Sequence, residues 1–216
     1  MTDKILTKNH KELCEQVQLH LEADAVIQGT YWRRTLDNKV KGEGCFIGCL
    51  SHANNPTFIE NKYGIPLTLI RILEEIFEAQ EADEAKCFFE ALPKAIGRDE
   101  KDLNKIQWRL FLWGLEKERE ESDPYSKGRI DIYEKVKTAL KSLLREEKVF
   151  LPSLASLDLP DSTHLAASIS YSIMFHLEKN LTTKTTYSIH AIRDLRDLVF
   201  PEELAKKILE LIREAK

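Results

Sequence analysis

Apolar residues along this chain recur at spacings of three and four, the period of a helix face. Leu13, Val17, His20, Asp24 and Ile27 form one stripe and predict a helix over about 8–28. Gly29 and Thr30 can end it, because glycine suits a helix C-terminus. A short helix is predicted over about 44–52, stopping in the turn-forming string HANNP. A loop then runs to YGIP, where Gly64 can take positive φ and Pro66 fits a first helical turn. The next helix, about 66–82, buries Leu69, Leu73, Ile76 and Phe77 and exposes Glu74, Glu75 and Glu78. Asp83 caps a further helix, EAKCFFEAL, that stops near Pro93.

The second half repeats this grammar. Leu103, Ile106, Leu110 and Trp113 share a face of a helix over about 99–121, whose tail EKEREE reads as a solvated surface. SDPYSKG is the best linker or elbow. A helix over about 128–148 carries Ile132, Val136 and Leu140, and FLPSLASLDLPDS is a second break. Three helices, about 162–179, 184–199 and 201–215, finish the chain. The last restarts at Phe200-Pro201-Glu202-Glu203, with Pro at the first helical position and acids that favour the helix dipole. A short hairpin within YWRRTLDNKVKGEG is the one β feature suggested. The expected fold is therefore all-α, a multi-helix bundle of about eight or nine helices. It divides into two packed helical subdomains, 1–122 and 123–216.

Composition narrows the function classes. The 216 residues are 43% hydrophobic and 31% charged, ordinary for a soluble globular chain. Gly and Pro, at 8 and 7, are too scarce for a turn-rich β architecture. No apolar run approaches the roughly 20 residues of a membrane helix. The opening MTDKILTKNHKELCEQ is too charged for a signal peptide. Four cysteines without a CxxC pair suit free thiols in a reducing cytoplasm. Residues 1–100 hold 12 Lys/Arg against 17 Asp/Glu, and the remainder 20 against 19. No basic stripe emerges, which disfavours nucleic acid as a partner.

Two constellations bear on chemistry. His20 and Asp24, four apart, share the packing face of their helix, where both need hydrogen-bond partners. They read as a structural pair, or as metal ligands or an acid–base pair. In GEGCFIGCLSH, Cys45, Cys49 and His52 fall within roughly 60° of one another on an ideal helix. Two thiols and an imidazole could fill three positions of a tetrahedral zinc, or form a thiol site with a neighbouring base. Alternatively, Gly44, Cys45, Gly48 and Cys49 are simply small residues that let another element approach closely. Glu74 and Glu78 with Arg71 are read as surface charges. GxSxG, a P-loop, GxGxxG and HExxH are all absent.

Ala23-Asp24, Gly29-Thr30-Tyr31-Trp32, Gly44-Cys45-Phe46-Ile47-Gly48-Cys49, His52, Gly64-Ile65-Pro66 and Leu73-Glu74-Glu75-Ile76-Phe77-Glu78 occur in an unusual order. This order resembles a family of uncharacterised bacterial and phage-associated proteins with the core AD…G.YW…GxGCxxGC…GIP…IFE. The resemblance covers about residues 17–97. It is weak in the second half, where such proteins are often alanine-rich and this chain has LAASISYSIMF. Glu75 also stands where an aspartate is usual. The resemblance implies a helical N-terminal module and supplies no activity.

The leading expectation is a non-enzymatic helical interaction or accessory protein that binds a protein partner or a second copy of itself. The alternative is an enzyme or sensor with a site built from His20, Asp24, Cys45, Cys49 and His52. Cys45, Cys49 and His52 would then hold zinc or iron. A nucleic-acid-binding regulator is the second alternative.

Overall fold

The computed structural model describes residues 9–36, 38–98, 101–121, 127–149 and 164–215; for 121, 127–131 and 164 it describes the backbone alone. The fold is all-α. The helices are α1 (His10–Glu22), α2 (Phe46–Ser51), α3 (Pro56–Tyr63), α4 (Leu67–Glu78), α5 (Ala82–Ile96), α6 (Ile106–Glu121), α7 (Lys127–Leu144), α8 (His164–Leu177), α9 (Leu181–Leu198) and α10 (Pro201–Arg213). A 3-10 turn, Leu103–Lys105, leads into α6. No helix among the described residues is long and apolar enough to cross a membrane. Two isolated bridges, Val26 to Gly44 and Arg33 to Glu43, are the β pairing where a hairpin is suggested.

α3 lies in the stretch expected to be a loop. Its local signals are strong: the Asn55 side chain caps Phe58 N–H, Pro56 opens the first turn, and Gly64 closes the helix at φ 72°. α1 is shorter than its stripe predicts. It ends at Glu22, and Asp24 then turns the chain at φ 48°. α5 continues past Pro93 to Ile96, with Pro93 in its last turn. There the missing proline N–H costs one helical hydrogen bond, while the Pro93 carbonyl is used twice, by Gly97 N–H and by His10 Nε2 at 2.9 Å.

The chain forms two compact units, and they are not contiguous halves. One holds the residues up to Ile106 together with Pro201–Lys216; the other is Gln107–Phe200. The expected elbow at SDPYSKG and the break FLPSLASLDLPDS fall largely on 122–126 and 150–163, outside the described residues.

In the first unit α1, α4 and α10 all pack with α5 or with each other's neighbours, around Leu13, Ile72, Leu73, Phe77, Phe89 and Ile208. Lys101 binds the last helix from within. Its buried ammonium donates to the carbonyls of Ala95 (2.9 Å), Ile212 (3.0 Å) and Arg213 (3.1 Å). Those are C-terminal carbonyls of α5 and α10, the groups a helix leaves without partners and a cation serves best.

In the second unit α8 and α9 form a close helical hairpin, with α7 against α8. Asn180 caps α9 by accepting from Thr183 N–H. The buried hydroxyls of Ser172 and Ser188 pair across the two helices at 2.7 Å.

Candidate functional site

The glycine-rich segment is organised around one peptide, Tyr31–Trp32. Cys45 N–H donates to Thr30 O at 2.7 Å, and Arg33 and Glu43 exchange both backbone hydrogen bonds at 2.8 and 2.9 Å. Gly44 N–H reaches Ala25 O, and Ile27 N–H reaches Gly44 O, both at 2.9 Å. Side chains are excluded where these strands cross. A Cβ on Gly44 would fall 2.0 Å from the Tyr31 carbonyl oxygen, and one on Gly48 only 1.2 Å. On Gly42 it would fall 2.1 Å from the Trp32 ring. The glycines therefore clasp an extended segment rather than another helix.

Cys45 and Cys49 are both buried within this clasp. Cys45 is the residue that starts α2, with extended backbone. Its thiol lies near the Glu78 carboxylate. Burial, with Glu78 and Glu74 beside it, pushes the Cys45 thiol up to about 11. Cys49 is fully buried and donates to Gly44 O at 3.1 Å. Burial again raises it, assisted by Cys45. Both thiols are therefore harder to ionise than an ordinary cysteine, which disfavours nucleophilic attack.

His52 faces another way. It ends α2 in the left-handed region at φ 52°. Its ring stacks on Trp32, centroids 4.4 Å apart and planes 16° from parallel. Its Nε2 lies 3.1 Å from His20 Nε2. His20 is fully buried, and its Nδ1 donates to the Gln16 carbonyl at 2.7 Å. That bond fixes the tautomer: neutral His20 presents a bare Nε2, which accepts the His52 Nε2–H. Burial lowers both imidazoles, and Lys62 adds to the effect on His52.

Asp24 belongs to neither group. With its side chain 83% exposed, it pairs with Lys86 on α5 at 2.6 Å. The expected His20–Asp24 pair does not form, because α1 has ended before Asp24 and the chain has turned. The structure thus joins His20 to His52 and places Cys45 beside Cys49. It does not assemble Cys45, Cys49 and His52 around one point. Among the described residues no group of three His, Cys, Asp or Glu side chains is placed to hold a metal ion.

The helix read as a solvated acidic face is half inside. Glu74 is buried and binds Arg71 at 2.7 Å, and the Arg71 guanidinium also lies near the Tyr31 hydroxyl. Glu78 Oε2 accepts from Gly29 N–H at 2.8 Å. Burial, more than the neighbouring Glu74, holds its carboxyl above the usual range. Tyr31, Trp32, Arg71, Glu74 and Glu78 were the residues missed. The i,i+4 spacing of Glu74 and Glu78 was the one signal, since it puts both on a single helical edge.

Beyond this network, Gln18, Leu21, Glu22, Lys86, Cys87 and Glu90 line a groove of about 310 Å³ between α1 and α5. Cys87 is exposed there. Comparison of the chain with protein-family models, with curated proteins and with solved structures finds no match.

Proposed function

We propose that this chain is a helical interaction or accessory protein in which the GxGCxxGC segment is a structural clasp. The observation that carries this reading is the fate of the sulfurs. Cys45 and Cys49 are buried, burial raises both thiols, and Cys49 donates to the Gly44 carbonyl. The surrounding geometry serves backbone crossing: glycines where any Cβ would collide, and carboxylates tied down by Arg71 and Gly29.

The test is elemental analysis of untagged protein combined with alkylation under native conditions. Metal below one equivalent in ten chains is expected, with Cys87 alkylated first, Cys14 next, and Cys45 and Cys49 last. A stoichiometric metal that disappears in Cys45→Ser or Cys49→Ser overturns the clasp reading. So does alkylation of Cys45 at the rate of Cys87.

One observation favours a second reading, a sensor. Two of the five candidate residues, His20 and His52, meet across α1 and α2 beside Trp32. A sensor predicts that zinc, or a proton taken up near neutrality, changes Trp32 fluorescence in the wild type and not in His52→Gln. Unchanged emission from pH 8 to 5, with and without zinc, removes this reading.

A further inference from the structure

Two surfaces of the first unit carry complementary features that the clasp does not use. One is the tip of the loop between the Arg33 and Glu43 bridge residues. Leu36 stands there 91% exposed, the most open large apolar side chain among the described residues. Turns favour polar residues, so a leucine at this position is unusual. The tip is also braced. Asn38 Nδ2 donates to Gly42 O at 2.7 Å, Asn38 Oδ1 accepts from Gly42 N–H at 3.1 Å, and Thr35 N–H reaches Lys41 O at 3.2 Å.

The same loop reverses the local charge. Residues 33–43 hold four Lys/Arg against two Asp/Glu, whereas the rest of 1–100 holds eight against fifteen. Arg33 pairs with Glu43. Arg34, Lys39 and Lys41 are exposed and make no ion pair with a described residue. The result is a basic knob with an apolar point on an otherwise acidic unit.

The second surface is the groove of about 310 Å³ between α1 and α5. That volume stands at the small end of ligand sites and suits one or two side chains. Leu21 gives the groove an apolar wall, and Glu22 and Glu90 line it from opposite helices. Its lysine, Lys86, is held by Asp24 at 2.6 Å. Lys94 reaches Glu90 at 3.3 Å, but both side chains are largely exposed. Together the two helices carry six carboxylates against three lysines.

We infer that the chain associates head to tail, the hairpin tip of one copy seated in the α1–α5 groove of the next. The inference rests on the interaction-protein reading and names the partner as a second copy. Leu36 packs against Leu21, and Arg34, Lys39 and Lys41 face Glu22 and Glu90. A braced tip loses little freedom on docking. The contact is small, so the association is weak and salt-dependent. Knob and groove are different surfaces, so every copy keeps one of each free, and assembly grows past the dimer or closes a ring. A lipid surface suits the tip less well, since a single leucine inserts little apolar area and a bilayer leaves the acidic groove unused.

The experiment uses the full chain carrying Leu36→Cys, mildly oxidised at high concentration. The exposure of Leu36 lets this variant keep the fold. A disulfide between the introduced cysteine and Cys87 of another chain is expected, identified by peptide mass spectrometry and lost when Cys87→Ser is added. In sedimentation equilibrium the wild-type mass should rise with concentration, and Leu36→Ser should weaken association at least about tenfold. Leu36→Ser and Glu22→Arg/Glu90→Arg should each stay monomeric alone. Mixed, they should form a 1:1 dimer that grows no further, because one intact knob meets one intact groove. A wild type that is monomeric at every concentration, or cross-linking undiminished by Cys87→Ser, overturns the inference. So does Leu36-dependent retention on phosphatidylserine vesicles in place of self-association. None of these outcomes touches the clasp reading, which stands on metal content and the order of thiol alkylation.

Discussion

Alanine at position 48 would put a methyl carbon 1.2 Å from the Tyr31 carbonyl oxygen, well inside any tolerable contact. The obstacle is backbone, so no side-chain rotation relieves it. Either α2 or the Tyr31–Trp32 segment must retreat by about 2 Å to reach ordinary packing distance. Retreat strains or breaks Cys45 N–H to Thr30 O and the two Arg33–Glu43 backbone bonds. Three such bonds are worth about 1 kcal/mol each. The Trp32–His52 stack adds about 1 kcal/mol. Alanine returns about 1 kcal/mol through its better helix propensity. The expected net cost of Gly48→Ala is therefore about 2–4 kcal/mol. Gly29→Ala is the control: it meets nothing within 4 Å and bears only its left-handed φ of 73°. That strain costs about 1–2 kcal/mol. Hydrogen exchange in a urea series, read on peptides covering residues 25–63, isolates the first unit. A Gly48→Ala loss below about 1 kcal/mol, or one no greater than for Gly29→Ala, would refute the clasp argument.

Acid should weaken the first unit through its histidine pair. Burial lowers His20 and His52 in the fold, so below their ordinary value of 6.5 the unfolded chain binds protons that the folded chain resists. Their contribution is complete above pH 6.5 and is lost as pH falls toward the folded values; a urea midpoint that stays flat from pH 7.5 to 5 contradicts this. Lys101→Met should loosen α10, because it removes the donor to Ala95, Ile212 and Arg213 carbonyls while keeping the aliphatic stem. A loss of about 2–4 kcal/mol is expected, with faster exchange in residues 201–215; unchanged exchange there would show that apolar packing alone holds the helix.

Helix faces were readable because their period is local. α4 and α10 carry nearly unbroken apolar stripes, and both lie close to where the sequence puts them. α3 is equally local, written in Asn55, Pro56 and Gly64, but the same residues also spell a turn. What lay beyond reach depends on distant partners. Asp24 sits on the right stripe for His20, yet one left-handed residue carries it to Lys86. Cys45, Cys49 and His52 share an ideal helical face, but α2 begins only at Phe46 and His52 has already left helical geometry. No spacing rule anticipates Glu74 under Arg71, or Lys101 reaching Arg213, because those contacts exist only once the chain has folded. The closeness required of Gly44 and Gly48 was legible; that they would grip an extended peptide was not.

The interrupted first unit has a consequence for how the protein is made. Ribosomes release a chain from its N-terminus, so Gln107–Phe200 emerges before Pro201–Lys216. The inserted unit has all of its residues while the unit around it still lacks its last helix. Until then the apolar surfaces of α4 and α5 that α10 covers stay open to water, and the Lys101 ammonium lacks the Ile212 and Arg213 carbonyls. The first unit begun is thus the last one closed, and its nascent form offers other hydrophobic chains a docking face that the finished protein hides.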